Sequence, residues 1–101
     1  MIVRVWHGRS SREKADEYAA FLKARAIPDY RATPGNLGAK VLRRDAPDAT
    51  HFLTVSYWES EAAIRAFAGG DLLCAKYYPE DAGFLLEFDP QVRHYELIAE
   101  G

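Results

Sequence analysis

Residues His51 to Trp58, HFLTVSYW, form a β-branched and aromatic run in which both alternating faces are largely apolar. Phe52, Thr54, Ser56 and Trp58 fall on one side; His51, Leu53, Val55 and Tyr57 fall on the other. A strand with one wet face alternates hydrophobic and polar residues, whereas this one requires cover on both. The chain offers two substantial helical segments, enough for one face of a small sheet. The other face therefore points to a second copy of the same sheet, that is, to a homodimer.

The remaining elements follow in order. Ile2 to His7 reads as a first strand. Ser10-Ser11-Arg12-Glu13 fits a capping box, and Ala15, Tyr18, Ala19, Leu22 and Ala26 then mark one helical face. Pro28 is expected to end or kink that helix near Ile27, because it lacks an N–H and its ring clashes with the preceding turn, with Asp29 to Ala32 continuing as a short second turn. Thr33-Pro34-Gly35-Asn36 is a turn, followed by strands over Leu37–Arg44 and Thr50–Trp58. Ser60 caps a helix over Glu61–Ala68, which Gly69-Gly70 stops. A short helix from Asp71 to about Tyr78, a further helical turn within Ala82–Phe88 and a last strand over Gln91–Ala99 complete the reading.

This β-α-β-β-α-β order predicts a ferredoxin-like α+β fold, with a four-stranded antiparallel sheet and helices on one face. At 101 residues the chain is expected to form one domain. Strand parity divides the side chains into two sets. Val3, Val5, Leu53 and Val55, the more purely aliphatic set, are assigned to the helix-covered side. Arg4, Trp6, Phe52, Thr54, Ser56, Trp58, His94 and Glu96 are assigned to the partner. A shift of one residue in register exchanges the two sets.

Composition narrows the function classes. Thirteen basic and fifteen acidic residues give a net charge of −2, without the basic face that nucleic-acid binding needs. No stretch approaches the roughly 20 apolar residues of a membrane span, and MIVRVWHGR reads as a strand, not a signal peptide. A cytoplasmic protein is expected. The single cysteine, Cys74, has no disulfide partner, and its apolar neighbours Leu72, Leu73 and Ala75 suggest burial. No Cys/His cluster has metal-site spacing, so no metal is expected.

Taken together, several motifs resemble the antibiotic biosynthesis monooxygenase (ABM) family of dimeric α+β barrels. They are the helix closing on Pro28-Asp29-Tyr30-Arg31, the turn Pro34-Gly35-Asn36-Leu37-Gly38, and Phe52 to Ser60 with its following helix. Tyr77-Tyr78-Pro79-Glu80 and His94-Tyr95-Glu96 complete the set. The resemblance implies a pocket between sheet and helices. In the oxygenase branch a small aromatic or quinol-type substrate, once deprotonated, there gives an electron to O₂ itself, with no cofactor. The haem-degrading branch uses an asparagine on strand one, a tryptophan after strand three and a histidine beyond it. Phe67 and Tyr77 stand at the latter two positions, and strand one carries no asparagine.

On this basis His7, at the end of strand one, is the candidate general base, its imidazole titrating near neutral pH. Tyr77 is the second candidate catalytic residue, at a position the resemblance places in the pocket. Tyr57, Phe67, Tyr78 and Phe84 are candidates for binding the aromatic substrate, each with the competing role of plain core packing. Two other functions remain open: a non-catalytic dimeric binding or accessory module, and haem binding or degradation.

Overall fold

A computed structural model describes every residue except Pro90. Strand β1 (Ile2–Ser10) leads into helix α1 (Ala15–Phe21), a π-helical turn over Leu22–Ala26 and helix α2 (Ile27–Ala32). Strands β2 (Asn36–Asp45) and β3 (Thr50–Trp58) form a hairpin, followed by helix α3 (Glu61–Ala68). A 3₁₀ turn at Pro79–Gly83 and strand β4 (Arg93–Glu96) complete the described elements. The sheet order is β2-β3-β1-β4, and each neighbouring pair is antiparallel. This is the expected ferredoxin-like α+β arrangement.

Local chemistry explains where the elements begin and end. Ser60 accepts a hydrogen bond from the Ala63 N–H at 3.2 Å, capping α3 as expected, and Gly69 ends it with φ of 88°. The first helix departs from its reading. Ser10 is the buried last residue of β1 and donates to the Ser11 carbonyl at 2.9 Å. Ser11 is the residue whose hydroxyl accepts from the Lys14 N–H, and α1 starts only at Ala15. The winding changes at Ile27, next to Pro28, and the chain continues to Ala32 as the short second helical stretch expected. The π-helical turn inserts its wider winding just ahead, so Pro28 falls in the first turn of α2, where a missing N–H costs nothing.

The last third is less regular than expected. Asp71–Tyr78 forms turns and extended chain instead of a helix, and Cys74 is exposed, not buried. The helical turn read within Ala82–Phe88 lies earlier, at Pro79–Gly83, where Asp81 accepts from the Tyr78 N–H at 2.6 Å. Strand β4 covers four residues, Arg93–Glu96, less than half of the expected Gln91–Ala99.

The two faces of the sheet are the reverse of the sequence assignment. The register opposes Trp6 to Thr54 and Arg4 to Ser56, and these residues with Phe52 and Trp58 are buried under the helices. Trp58 packs against Phe67 and Tyr30, with ring centroids 5.4 and 6.3 Å away. Val3, Val5, Leu53 and Val55 lie on the opposite, open face. The mixed set can be buried because its polar atoms find partners inside. Trp58 Nε1 donates to Ser56 Oγ at 2.8 Å, and the Tyr30 hydroxyl pairs with Thr54 Oγ1 at 3.0 Å.

Candidate functional site

Between the sheet and α1–α2 lies a cleft whose polar wall comes from β1 and from residues 76–81, and whose apolar wall comes from the helices. Arg4, Trp6, Tyr30, Thr54 and Phe67 line it, with Lys76, Tyr78 and Asp81 on the side of the irregular segment. Its free volume is about 20 Å³, room for about one water molecule.

Three groups give the cleft its chemistry. The Arg4 guanidinium is 2% exposed, yet it meets only uncharged acceptors. It donates to the Leu72 carbonyl at 2.8 Å, the Cys74 carbonyl at 2.6 Å and His94 Nε2 at 3.1 Å. Among the described residues no carboxylate pairs with it. Burial lowers its pKa, but a guanidinium remains charged at neutral pH. Two residues along β1, Trp6 is 7% exposed, and its indole N–H faces the Tyr77 hydroxyl without a hydrogen bond of good geometry. The Tyr77 ring stands edge-on to it, 6.2 Å between centroids, but the Tyr77 hydroxyl donates to the Asp89 carbonyl.

The third group is Asp81, 2% exposed. Its carboxylate accepts from the Tyr18 hydroxyl at 3.0 Å and the Tyr78 N–H at 2.6 Å. Burial raises its pKa despite those two donors, so a proton placed on it is held more strongly than on an exposed aspartate. Nearby, Asp29 takes the Lys76 ammonium at 2.6 Å and the Tyr78 hydroxyl. Burial alone would raise the Asp29 pKa, and these donors bring it below the usual value.

The sequence candidates divide between cleft, rim and opposite face. Phe67 and Tyr78 line the cleft. Tyr77 sits behind Trp6, its ring 4.8 Å from that of Phe88. Phe84 packs on Tyr18 and Phe21, with centroids 5.1 and 5.8 Å away, outside the cleft. His7 and Tyr57 lie on the open face of the sheet, His7 against His51 and Tyr57 beneath the Lys40 ammonium. The pocket-side placement of His7 is therefore corrected: with the faces exchanged, the sheet stands between its imidazole and the cleft.

Arg4, Trp6, Tyr30 and Asp81 were not among the sequence candidates. Arg4 carried one usable signal, a charge in the middle of an otherwise apolar strand. Asp81 carried none, because only folding brings Tyr18 to it from 63 positions away. Among the described residues no three His, Cys, Asp or Glu side chains converge as a metal site, and no helix is long and apolar enough to cross a membrane.

The sequence matches the antibiotic biosynthesis monooxygenase family over residues 1–73. The chain belongs to this family. No curated protein matches it in sequence. Among solved structures, an antibiotic biosynthesis monooxygenase is similar at a TM-score of 0.69 and 17% identity, over 98% of this chain and 100% of that one. The haem-degrader MhuD from Mycobacterium tuberculosis, solved with two haems in its active site, is similar at a TM-score of 0.62 and 19% identity, over 100% and 99% of the two chains. A protein of unknown function from Nitrosomonas europaea is similar at 0.65 and 19%, over 99% and 90%. At these identities the likeness shows the shared fold. As it stands the cleft has room for about one water, so neither a haem nor a substrate ring enters it in this form, and the Nε2 of His94 is engaged by Arg4.

Proposed function

We propose that this ABM-family protein is a cofactor-independent monooxygenase that oxidises a small aromatic or quinol-type substrate with O₂ in the cleft between sheet and helices. The observation that carries the reading is the pairing, in one water-poor cleft walled by Trp6, Tyr30 and Phe67, of a buried carboxylate with raised proton affinity and a buried cation without a counter-charge. Asp81 takes the role assigned from sequence to His7. Its carboxylate accepts the acidic C–H or O–H proton, and Arg4 stabilises the resulting oxyanion. The electron-rich anion passes one electron to O₂, and the radical and superoxide combine as a carbon-bound peroxide. For a CH₂ centre, loss of water then leaves the quinone carbonyl, so one O₂ yields one quinone oxygen and one water. Excluding bulk water protects the anion from reprotonation.

The active form is proposed to be a homodimer closed through the open sheet faces. Val3, Val5, Leu53 and Val55 make that face apolar, and Leu42 and Tyr95 on its flanks are about half exposed. The test of the enzymatic reading is protein-dependent oxygen uptake with a panel of anthrones and hydroquinones, corrected for autoxidation. A matching quinone product supports the reading. No uptake from any of them overturns it for this substrate class.

One observation favours a second reading. The cleft as it stands has room for about one water, as a non-catalytic dimeric accessory module would. That reading expects no oxygen uptake and no saturable binding of small aromatics.

A further inference from the structure

Arginine carries N–H donors and no acceptor, and its guanidinium keeps its proton in a protein. Whatever Arg4 meets must therefore offer a lone pair. Its Nη1 donates to the Leu72 carbonyl at 2.8 Å and to His94 Nε2 at 3.1 Å, and its Nη2 donates to the Cys74 carbonyl at 2.6 Å. A histidinium would present an N–H at Nε2, and so would the neutral Nε2–H tautomer. The contact admits one form of His94, the neutral ring protonated at Nδ1. That form leaves a donor unsatisfied, because Nδ1 is buried and has no partner among the described residues. One side of the ring goes without a hydrogen bond while the other turns its lone pair to Arg4.

The contact is built into the sheet. The register sets Arg4 directly opposite His94 on the antiparallel pair β1–β4, so the two side chains rise from the same face. Of the three acceptors around the guanidinium, His94 is the one carried by a strand; Leu72 and Cys74 belong to the irregular stretch after α3. With both hydrogens of Nη1 engaged, the guanidinium plane is fixed. Its Nε–H and one Nη2–H have no partner among the described residues, and these are the donors with which Arg4, a wall of the cleft, can meet a ligand.

We propose that His94 is a positioning residue: its neutral Nδ1–H tautomer holds the Arg4 guanidinium in the orientation that serves the cleft, and protonation of Nε2 releases it. The inference rests on the reading of Arg4 as the group that stabilises the substrate oxyanion, and it adds the residue that keeps Arg4 in place. The charged groups around the ring are Arg4 on β1, Glu61 at the start of α3 and Glu96 on β4; the two carboxylates share a surface groove with His94. Burial and then Arg4 lower the His94 pKa from the ordinary 6.5, and Glu61 opposes them. The neutral ring therefore persists through neutral pH and is lost on acidification. Once Nε2 is protonated, the acceptor has become a second cation against Arg4.

The test is heteronuclear NMR of the His94 ring and the Arg4 guanidinium, with oxygen uptake measured alongside for wild type, His94→Gln and His94→Leu. At pH 7.5 wild-type His94 is expected to show Nδ1 protonated and Nε2 unprotonated. Arg4 is expected to show separate Nη–H signals, held apart by slow rotation about Cζ–Nη1. Those signals are expected to merge as pH falls through the His94 titration, below the ordinary 6.5. In His94→Gln they are expected to stay apart over the same range, since the side-chain oxygen accepts from Arg4 and does not titrate. His94→Leu has no acceptor and is expected to lose them at every pH, with kcat lowered about tenfold and KM little changed. His94→Gln is expected to rescue most of that loss. An Nε2–H or doubly protonated ring at pH 7.5 overturns the proposal, as do Arg4 signals that ignore the His94 titration. So does a folded His94→Leu variant with the kcat of wild type. Where His94→Leu does not fold, the wild-type and His94→Gln titrations decide alone. If wild type takes up no oxygen with any substrate, the oxygenase reading falls, and the NMR arms still decide whether His94 holds Arg4. Uptake by a protein whose His94 is the Nε2–H tautomer would leave that reading standing and sink the role of His94.

Discussion

His7 Nε2 lies 2.9 Å from His51 Nδ1, with the two rings stacked 5.2 Å apart on the sheet face opposite the cleft. The pair needs one N–H between the two nitrogens, and a second proton breaks it. Burial, and then the neighbouring His51, lower the His7 pKa from the ordinary 6.5. Burial and then Arg4 lower that of His94 likewise. A depressed histidine contributes stability that is fully present above its unfolded pKa and lost as pH falls through its folded one. Urea midpoints are therefore expected to fall from pH 7.5 to pH 5, with part of that slope gone in His7→Gln. Identical midpoints across this range would show that the histidines are uncoupled from folding.

Trp58 is fully buried, packed edge-on to Tyr30 and at a tilt to Phe67, and its N–H is satisfied by Ser56. Trp58→Ala is expected to cost about 3–5 kcal/mol, a large share of the ~5–15 kcal/mol that stabilises a small domain. Equilibrium urea denaturation measures it, and a cost under ~1 kcal/mol would mean that the core repacks around the gap.

Asp81→Asn separates chemistry from stability. An amide can still accept from the Tyr78 N–H and can donate to the Tyr18 hydroxyl, so the local bonds survive. Burial raises the Asp81 pKa, which means that the folded state disfavours the charged form and loses stability as pH rises through it. The variant is expected to melt at the same temperature as wild type or higher at pH 8, while oxygen uptake falls about a hundredfold or more. Retained turnover would remove Asp81 from the mechanism.

Gly35 and Gly70 both have positive φ, 88° and 111°, but only Gly35 is crowded. A Cβ at Gly35 would lie 2.5 Å from that of Ala63, whereas one at Gly70 meets nothing within 4 Å. Gly70→Ala should therefore cost only the backbone strain, about 1 kcal/mol, and Gly35→Ala clearly more. Differential scanning fluorimetry ranks the two, and equal losses would contradict the close approach of turn and α3.

Val55 sits at the centre of the open face, paired with Val5 on β1 and Lys40 on β2. Val55→Glu places a charge where the proposed homodimer would bury it. Sedimentation is expected to show a dimer for wild type and a monomer for the variant, with far-ultraviolet circular dichroism unchanged. A monomeric wild type would remove the barrel closure from the proposed function.

Much of the architecture was legible because it is written locally. The Ser60 cap, the Gly69 stop and the strand at Thr50–Trp58 each follow from neighbouring residues. The change of winding at Ile27 was legible from Pro28, but its form, a π-helical turn ahead of the proline, has no local signature. The helix read over Asp71–Tyr78 did not form, since carbonyls of that segment are held by Arg4 from β1 instead of by a helix.

The sequence by itself determined the element order, the fold class and the partition of the strands into two faces, because a period of two residues separates side chains whatever surrounds them. Which face the helices cover was decided by tertiary structure alone. Arg4, Thr54 and Ser56 look like surface residues until Leu72, Cys74, Tyr30 and Trp58 supply their partners. Burial of a polar group depends on what meets it, and here the groups that do so for Arg4 and Thr54 come from positions tens of residues away. That one choice sent His7 to the open face and brought Arg4, Trp6 and Asp81 together in the cleft.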